Sequence, residues 1–205
     1  MKSLFGVLAL TLTIIEAAAV DELPYKVQAT IGDIELRQYA SHVLATTGVE
    51  ATFSEAGNKA FRSLFRFISG DNSSEEKIAM TSPVLQAKTS RGWDISFVMP
   101  IDMTRLDVPN PRQETMRIDT VPSQLMAALE YSGGWGEKRF LEKERLLKQQ
   151  IEEMDCRING PTVWARYDPP FMPRFMRRNA VLIPVTTDGC EERHSDAKPH
   201  QRAVQ

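Results

Sequence analysis

The chain has 205 residues, of which 42% are hydrophobic and 25% are charged, with a formal net charge of -2. This length suits one well-cored domain and is marginal for two, and the composition is ordinary for a soluble globular protein. A net charge this close to zero, without a basic stripe among aromatic residues, argues against a nucleic-acid-binding protein.

The first segment, residues 1–19, has the layout of an export signal. One positive charge at Lys2 precedes an apolar run from Leu4 to Ile15, and small residues follow up to Ala19. An apolar run of about a dozen residues is short for a membrane span, so a cleaved signal is favoured over a membrane-retained N-terminus. We therefore expect an exported protein, periplasmic or extracellular, without a stable membrane anchor after cleavage.

Three extended segments open the domain that begins at Val20. Apolar and polar residues alternate over 25–31 and over 34–39, with a Gly-Asp turn between them. This pattern predicts a hairpin with one buried face. A third strand is predicted over 43–49.

An amphipathic helix is predicted over 53–69. Thr52 and Glu55 have the spacing of a capping box, and Gly70 is a typical helix stop. Between them, apolar residues recur at three- and four-residue spacing, which predicts one buried face. These residues are Phe53, Ala56, Ala60, Phe61, Leu64, Phe65 and Ile68.

The rest of the domain reads as strands around a second helix. The proline-rich stretch over 100–111 is a connection rather than a domain linker. The second helix places Phe140, Leu147, Ile151 and Met154 on one stripe. The pattern predicts strands over 77–86, 93–99, 116–122, 124–132, 162–167 and 180–186, the helix over 137–154, and a flexible polar tail over 187–205.

These elements contain a weak internal repeat. The strand over 43–49, the first helix and the next two strands form a β-α-β-β unit, and the strand over 124–132 begins a second one. The two units are offset by about 82 to 86 residues. Units of this size are too small to bury their faces separately, so we expect them to share one sheet system. The groove between the halves, or between a helix and the sheet, is then the expected ligand site.

The stretch over 167–185 is the most informative part of the sequence. Three prolines prevent regular hydrogen-bonded structure in its middle, so it must cross the surface as an ordered loop. It carries Phe171 and Met172, followed by Arg174 and Arg177. An apolar wall beside fixed cations suits a flat hydrophobic molecule with carboxylates. The alternative is a plain loop anchored in the core.

The first helix offers a second aromatic and cationic surface. Phe61 and Phe65 are one turn apart, and Arg62 and Arg66 share that spacing on a neighbouring face. These side chains could hold a disc-shaped ligand with peripheral carboxylates, and Met80 in the next strand could line the same groove. The alternatives are ordinary core positions for the phenylalanines and a solvated face for the arginines.

Catalytic and metal chemistry finds little support. Only three histidines occur, two of them in the predicted tail, and no nucleophile elbow, zinc-protease motif or phosphate-binding glycine loop is present. We predict that the chain is not an enzyme and holds no metal site of its own. His42 is read as a half-buried strand residue.

The two cysteines are Cys156 and Cys190. Export permits a disulfide, and antiparallel pairing of the last two strands places the two residues near the same register. A disulfide and two free thiols both remain open. Because no Cys-x-x-Cys-His motif occurs, covalent c-type haem attachment is excluded.

Several motifs together resemble the SOUL haem-binding family. They occur in order over about residues 24–185, and the ordered set is specific although each motif is weak alone. The matching pieces are Gly32-Asp33-Ile34-Glu35-Leu36-Arg37-Gln38-Tyr39, Phe61-Arg62-Ser63-Leu64-Phe65-Arg66-Phe67-Ile68-Ser69-Gly70, Lys77-Ile78-Ala79-Met80-Thr81-Ser82-Pro83-Val84, Phe97-Val98-Met99-Pro100, Tyr167-Asp168-Pro169-Pro170 and Arg177-Arg178-Asn179.

The resemblance implies an α+β fold, a twisted eight-stranded antiparallel barrel-like sheet flanked by two helices and built from a duplicated β-α-β-β unit. It also implies non-covalent binding of haem or a related tetrapyrrole, which some members place in an apolar groove along the first helix without an axial ligand. The haem-binding residues expected here are Phe61, Leu64, Phe65, Arg66, Met80, Phe171, Met172, Arg174 and Arg177.

One position departs from the family pattern. Some vertebrate members carry a ligating histidine directly before the tyrosine that corresponds to Tyr39, where this chain has Gln38. Binding must then occur without a strong axial bond, or through His42, a methionine or a tyrosine. We expect affinity that depends on apolar contact and on propionate pairs with Arg66, Arg174 and Arg177, and that falls with salt.

The resulting prediction is a carrier, buffer or scavenger of tetrapyrroles. Two alternatives stay open. One is a non-catalytic interaction module whose pocket is merely core. The other is a small-molecule-binding or hydrolytic domain of the gyrase-inhibitor-like type, which shares the duplicated fold and would need an acid or base in the groove.

Overall fold

The computed structural model describes residues 20–186. The predicted export signal over 1–19, the predicted tail over 187–205 and Cys190 lie outside the described residues. The proposed pairing of Cys156 with Cys190 therefore stays a prediction. Within the described part, no helix is both long and apolar enough to cross a membrane.

Twelve strands and two α-helices make up this part of the chain, together with one short 3-10 helix. In chain order they are β1 (Asp21–Glu22), β2 (Tyr25–Ile31), β3 (Ile34–Tyr39), β4 (His42–Val49), α1 (Phe53–Ile68), β5 (Thr81–Ser82), β6 (Val84–Thr89), β7 (Gly92–Val98), β8 (Met116–Val121), β9 (Gln124–Ser132), α2 (Glu137–Glu153), β10 (Arg157–Ile158), β11 (Val163–Arg166), the 3-10 helix Arg174–Met176 and β12 (Arg178–Thr186).

Ten of these strands form one curled antiparallel sheet in the order β2-β3-β9-β12-β11-β6-β7-β4-β8, with β10 beside β12. The order is symmetric about the β6–β11 pair, since β7, β4 and β8 follow β6 as β12, β9 and β3 follow β11. The predicted repeat thus corresponds to two equivalent halves that share one sheet. The α+β class is confirmed, and the sheet has ten strands where eight were predicted.

The strand predicted over 77–86 is interrupted. Residues 77–80 are not in a strand, and the remainder is split into β5 and β6 at Pro83. Proline has no N–H to donate to a ladder, so it ends pairing where a central strand would need that bond. β5 pairs instead with the N-terminal β1, in parallel.

α1 begins at the predicted capping box, where the N–H and the hydroxyl of Thr52 both donate to the Glu55 carboxylate, at 3.4 and 3.0 Å. The helix packs against β4 and β7. Its buried face carries Leu64 and Phe67 at its centre, both without exposed surface. The phenylalanines at 61 and 65 lie at the edge of this face.

The two helices meet over the concave face through aromatic rings. Phe53 at the start of α1 stacks on Phe140 of α2 and on Trp164 of β11, with ring centroids 5.5 and 4.7 Å apart. It also meets the edge of Trp93 at 5.1 Å. This cluster fixes the first turns of both helices over the centre of the sheet.

Candidate ligand-binding site

An open cleft of about 930 Å³ lies where the connection from β9 to α2 faces the loop before β12. We call it the cationic cleft. Its lining combines glycines and two aromatic residues with four basic side chains and one carboxylate. The lining residues are Gly133, Gly134, Trp135, Gly136, Lys138, Arg139, Glu142, Arg174, Phe175 and Arg177.

One wall of the cleft belongs to residues 168–177, here called the proline loop. Arg177 holds this loop, because its guanidinium donates to the carbonyl oxygens of Pro170 and, at 2.8 Å, of Met172. At the other end, Asp168 accepts a hydrogen bond from the backbone N–H of Arg178 at 2.5 Å. The loop is therefore an ordered surface crossing, as the three prolines predicted.

The opposite wall depends on glycine. Gly133 has a φ of +133°, and a Cβ atom placed there would lie 1.9 Å from Nη1 of Arg139. The same Nη1 donates to the carbonyl oxygen of Ser132 at 2.9 Å. A glycine is thus required both by the backbone conformation and by the close approach of this guanidinium.

The cleft has a surplus of positive charge. Lys138, Arg139, Arg174 and Arg177 line it against a single carboxylate, Glu142. None of the four cations forms an ion pair with any carboxylate of residues 20–186. Unpaired guanidinium and ammonium groups around one concavity attract an anionic ligand and can bind its carboxylates directly.

Trp135 supplies the apolar surface between these cations. The Arg177 guanidinium lies 4.5 Å from its ring centroid and that of Arg166 lies 5.4 Å away. Its indole Nε1 is buried and has no hydrogen-bond partner within the described part of the protein. A half-buried aromatic ring in the lining of the cleft suits contact with a planar ligand.

Arg166 connects the cleft to α1. Burial lowers the pKa of this arginine to about 10, and its guanidinium contacts Trp164 at 4.8 Å and donates to Oε1 of Gln86 at 3.1 Å. A Cβ atom on Gly57 would lie 2.7 Å from its Nη1, so the helix can approach the guanidinium only because residue 57 is glycine.

Of the predicted site residues, Arg174 and Arg177 line the cleft, whereas those on α1 do not. Phe61 and Phe65 are exposed at 41% and 49% and stack with ring centroids 5.8 Å apart; we call this pair the α1 ridge. Leu64 is a fully buried core residue without solvent contact. Arg66 is paired with Asp71 at 2.6 Å.

The other predicted residues are Met80, which precedes β5, and two residues of the proline loop. Met80 is half-buried and packs against the core. Phe171 is exposed at the tip of the proline loop, and Met172 is half-buried beside it. Neither of these two loop residues lines the cationic cleft.

Strand register gives the spacing between the α1 ridge and the cleft. The ring of Phe61 contacts Phe97 at 5.3 Å, and Phe97 pairs with Val84, which in turn pairs with Arg166. Adjacent strands lie about 4.8 Å apart, so Phe97 and Arg166 are about 10 Å apart on the same face. The two surfaces are neighbours with Arg166 between them.

His42 lies on the other face of the sheet. It alternates with Val43 and Ala45, and Ala45 pairs with Phe97 on the α1 side. Its Nδ1 donates to the carbonyl oxygen of Ala40 at 2.9 Å. The structure therefore does not bring His42 together with α1 or the cleft. No group of three or more potential metal ligands occurs among residues 20–186.

Burial lowers the pKa of His42 below its ordinary value of 6.5. Below pH 6.5 the unfolded chain therefore takes up a proton that the folded protein does not bind until the pH reaches its lower folded-state pKa, so stability falls across that interval. We expect the melting temperature to decrease from pH 7.5 to 5.5, and to decrease less in His42→Gln. Circular dichroism melts at matched ionic strength measure both; equal slopes would contradict the assignment.

Sequence reasoning missed Trp135, Lys138, Arg139 and Arg166 as site residues. The first three follow the glycine pair at 133–134, which signalled only the end of a strand. Arg166 is the last residue of β11. An arginine at the end of a strand is common, so no sequence pattern selected it. A signal was available in the sequence as a tryptophan between glycines followed by two cations, but the pattern is short and unspecific.

Comparison with known proteins supports the fold and the family. The family model described as SOUL heme-binding protein matches residues 20–184. No curated protein matches the sequence. Several solved structures have similar folds.

The C-terminal domain of EcmrR has a TM-score of 0.59 at 9% identity, covering 79% of this chain and 98% of that chain. EcmrR in its DNA complex has a TM-score of 0.58 at 9% identity, covering 74% of this chain and 56% of that chain. A hydrolase from Listeria innocua has a TM-score of 0.55 at 12% identity, covering 78% of this chain and 94% of that chain. At these identities the likeness shows the fold alone. Because the family model spans nearly all described residues, the chain belongs to the SOUL heme-binding protein family.

Proposed function

We propose that this protein binds haem or a related tetrapyrrole non-covalently in the cationic cleft, as a carrier or buffer. The observation that carries the proposal is the set of four basic side chains, unpaired with any described carboxylate, around the half-buried ring of Trp135 and the exposed ring of Phe175. Membership of a family described as heme-binding supports the choice of ligand.

The residues present fit such a ligand. The cleft volume of about 930 Å³ falls within the range of about 300–1,000 Å³ usual for small-molecule sites. The macrocycle would contact Trp135 and Phe175, and Arg174 with Lys138 would bind its propionates as charge-assisted pairs. When bound, haem would supply iron chemistry; the chain's own part is to position the ring and neutralise its carboxylates.

Iron ligation is not the source of affinity in this proposal. None of the ten lining residues is histidine, cysteine, methionine or tyrosine, the side chains that hold haem iron most strongly. Affinity then depends on apolar contact and ion pairs, so binding should be reversible and should weaken with salt. Reversible exchange suits a carrier or buffer better than a catalyst.

The α1 ridge is the competing location, since the family resemblance implies a groove along the first helix. Its cation, Arg66, is already neutralised by Asp71, so a propionate would have to compete for it. Arg174 has no such competitor among the described residues. A comparison of the two arginines therefore distinguishes the two locations.

Titration of the purified protein with haemin, followed in the Soret band, tests the proposal. Arg174→Ala should raise the Kd about tenfold, because a hydrogen bond to a charged group contributes about 1.5–3 kcal/mol. Arg66→Ala should leave the Kd nearly unchanged, with Arg145→Ala, on the exposed face of α2, as the control.

Three outcomes would point elsewhere. No Soret change in the wild-type protein would favour the interaction-module alternative. Loss of affinity in Arg66→Ala or Phe65→Ala, with Arg174→Ala unaffected, would move the site to the α1 ridge. Ester hydrolysis by the wild-type protein that is lost in Glu142→Gln would favour the hydrolase alternative.

The proposed carrier works outside the cytoplasm, if the export signal over 1–19 is cleaved behind Ala19 as the sequence predicts. N-terminal sequencing of the secreted protein tests the cleavage, and its mass before and after reduction tests the bond between Cys156 and Cys190.

A further inference from the structure

The proline loop exposes three large apolar side chains to water. Phe171, Phe175 and Met176 are exposed at 85%, 76% and 57%. Single exposed apolar residues are common on protein surfaces, but three within six residues form a concentrated apolar projection. Water contact of these side chains is costly, at about 25 cal/mol for each Å² of apolar surface.

The loop is ordered in a way that keeps these side chains outward. The backbone N–H of Met172 donates to Pro169 at 3.1 Å, and that of Met176 donates to Pro173 at 2.9 Å. Arg177 donates to two further carbonyl oxygens of the loop. These bonds hold the loop backbone in the conformation from which Phe171 and Phe175 are exposed.

Positive charge surrounds the projection. Arg174 lies between the two phenylalanines in sequence, and Lys138 and Arg139 face the same loop across the cleft. These cations have no carboxylate partner among the described residues. Exposed aromatic side chains flanked by basic residues are the combination by which peripheral proteins enter the headgroup layer of an anionic membrane.

We propose that the proline loop docks the protein onto an anionic lipid bilayer. Phe171, Phe175 and Met176 enter the interface between headgroups and acyl chains, while Arg174 and Lys138 contact lipid phosphates. A bilayer fits better than a protein partner, because cations dispersed among the apolar side chains stay partly hydrated between headgroups but would be desolvated in a protein interface. This inference goes beyond tetrapyrrole binding and does not depend on it.

Co-sedimentation of the full apo chain with lipid vesicles tests the docking. We expect binding to vesicles of phosphatidylcholine mixed with phosphatidylglycerol, weaker binding to phosphatidylcholine alone, and weakening by salt. The double variant Phe171→Ser with Met176→Ser should reduce partitioning about tenfold, and Arg174→Glu should reduce it about tenfold on the mixed vesicles alone. Leu106→Ser, which replaces a 95% exposed leucine in another loop, is the matched control and should bind like the wild type.

A local reporter makes the result independent of any other apolar segment of the chain. Phe171→Trp and Leu106→Trp place an added fluorophore at two exposed positions, and brominated phosphatidylcholine quenches indoles that enter the bilayer. The fluorescence added by Phe171→Trp should be quenched, and that added by Leu106→Trp should not. Equal quenching at both positions, absence of quenching at position 171, or unchanged partitioning of the double serine variant would overturn the proposal.

Discussion

Phe67→Ala is expected to lower the free energy of unfolding by about 3–5 kcal/mol, whereas Phe65→Ala should lower it by about 1 kcal/mol. The two phenylalanines are two residues apart on α1. Phe67 has no exposed surface and belongs to the main core cluster, while Phe65 is half exposed and stacks on Phe61. Removing the Phe67 ring leaves a cavity in the core. Removing the Phe65 ring leaves none, because about half of that side chain is already in contact with water.

Urea denaturation of the two variants and the wild type, with a common m-value, measures the difference. Phe67→Leu is the control for a change of shape at the same site, and should cost less than the alanine variant because it leaves a smaller cavity. A loss of about 3 kcal/mol or more in Phe65→Ala would mean that the α1 ridge is core rather than surface.

Reversing two charges in the cationic cleft should produce the largest change in ligand affinity. The double variant Lys138→Glu with Arg174→Glu is expected to raise the Kd for haemin about a hundredfold or more, since two charge-assisted contacts of about 1.5–3 kcal/mol each are replaced by repulsion. Both side chains line the cleft without a carboxylate partner within 20–186, so the fold loses no described ion pair.

The matched control is Lys26→Glu with Arg91→Glu, which makes the same change in net charge at two exposed positions away from the cleft. Soret titrations at low and high salt should show that the difference in Kd for haemin between the two double variants becomes smaller at high salt, because salt screens the charges of the cleft. If both double variants lose affinity equally, only the overall charge of the protein matters and the cleft assignment fails.

The regular elements of this protein could be predicted because their causes are local. The capping box at Thr52 and Glu55 and the spacing of apolar residues define α1 to within one residue of its observed end. The repeat of two β-α-β-β units follows from the same periodicities and appears as the symmetric strand order around β6 and β11. The interruption at Pro83 was missed, because residues on either side of it alternate like a strand.

The site was predictable only in part. Arg174 and Arg177 were predicted as site residues from the sequence of the proline loop, and both line the cleft. On α1, periodicity identified an apolar face but not its edge: Leu64 is wholly core, and Phe61 and Phe65 are half exposed. Which residues of a helical stripe stay exposed depends on the elements that pack against the helix, here β4 and β7, and the sequence of the helix does not show where that contact ends.

The helices, the strands and the ordered proline loop could be predicted from local patterns, because each depends on propensities and spacings within about 20 residues. The duplicated architecture was predicted from the recurrence of these elements about 82 to 86 residues later. The residues that lie opposite the proline loop could not be predicted in this way, because they come together only when distant strands pair. Trp135 and Arg139 follow the end of β9, and Arg174 precedes the start of β12. The antiparallel pairing of these two strands, in which Ser132 lies opposite Arg178, brings the residues together although they are far apart in sequence. Likewise, the fold brings Arg66 to Asp71 but brings no carboxylate of residues 20–186 to the cations of the cleft, because ion pairing depends on which side chains lie within reach of one another.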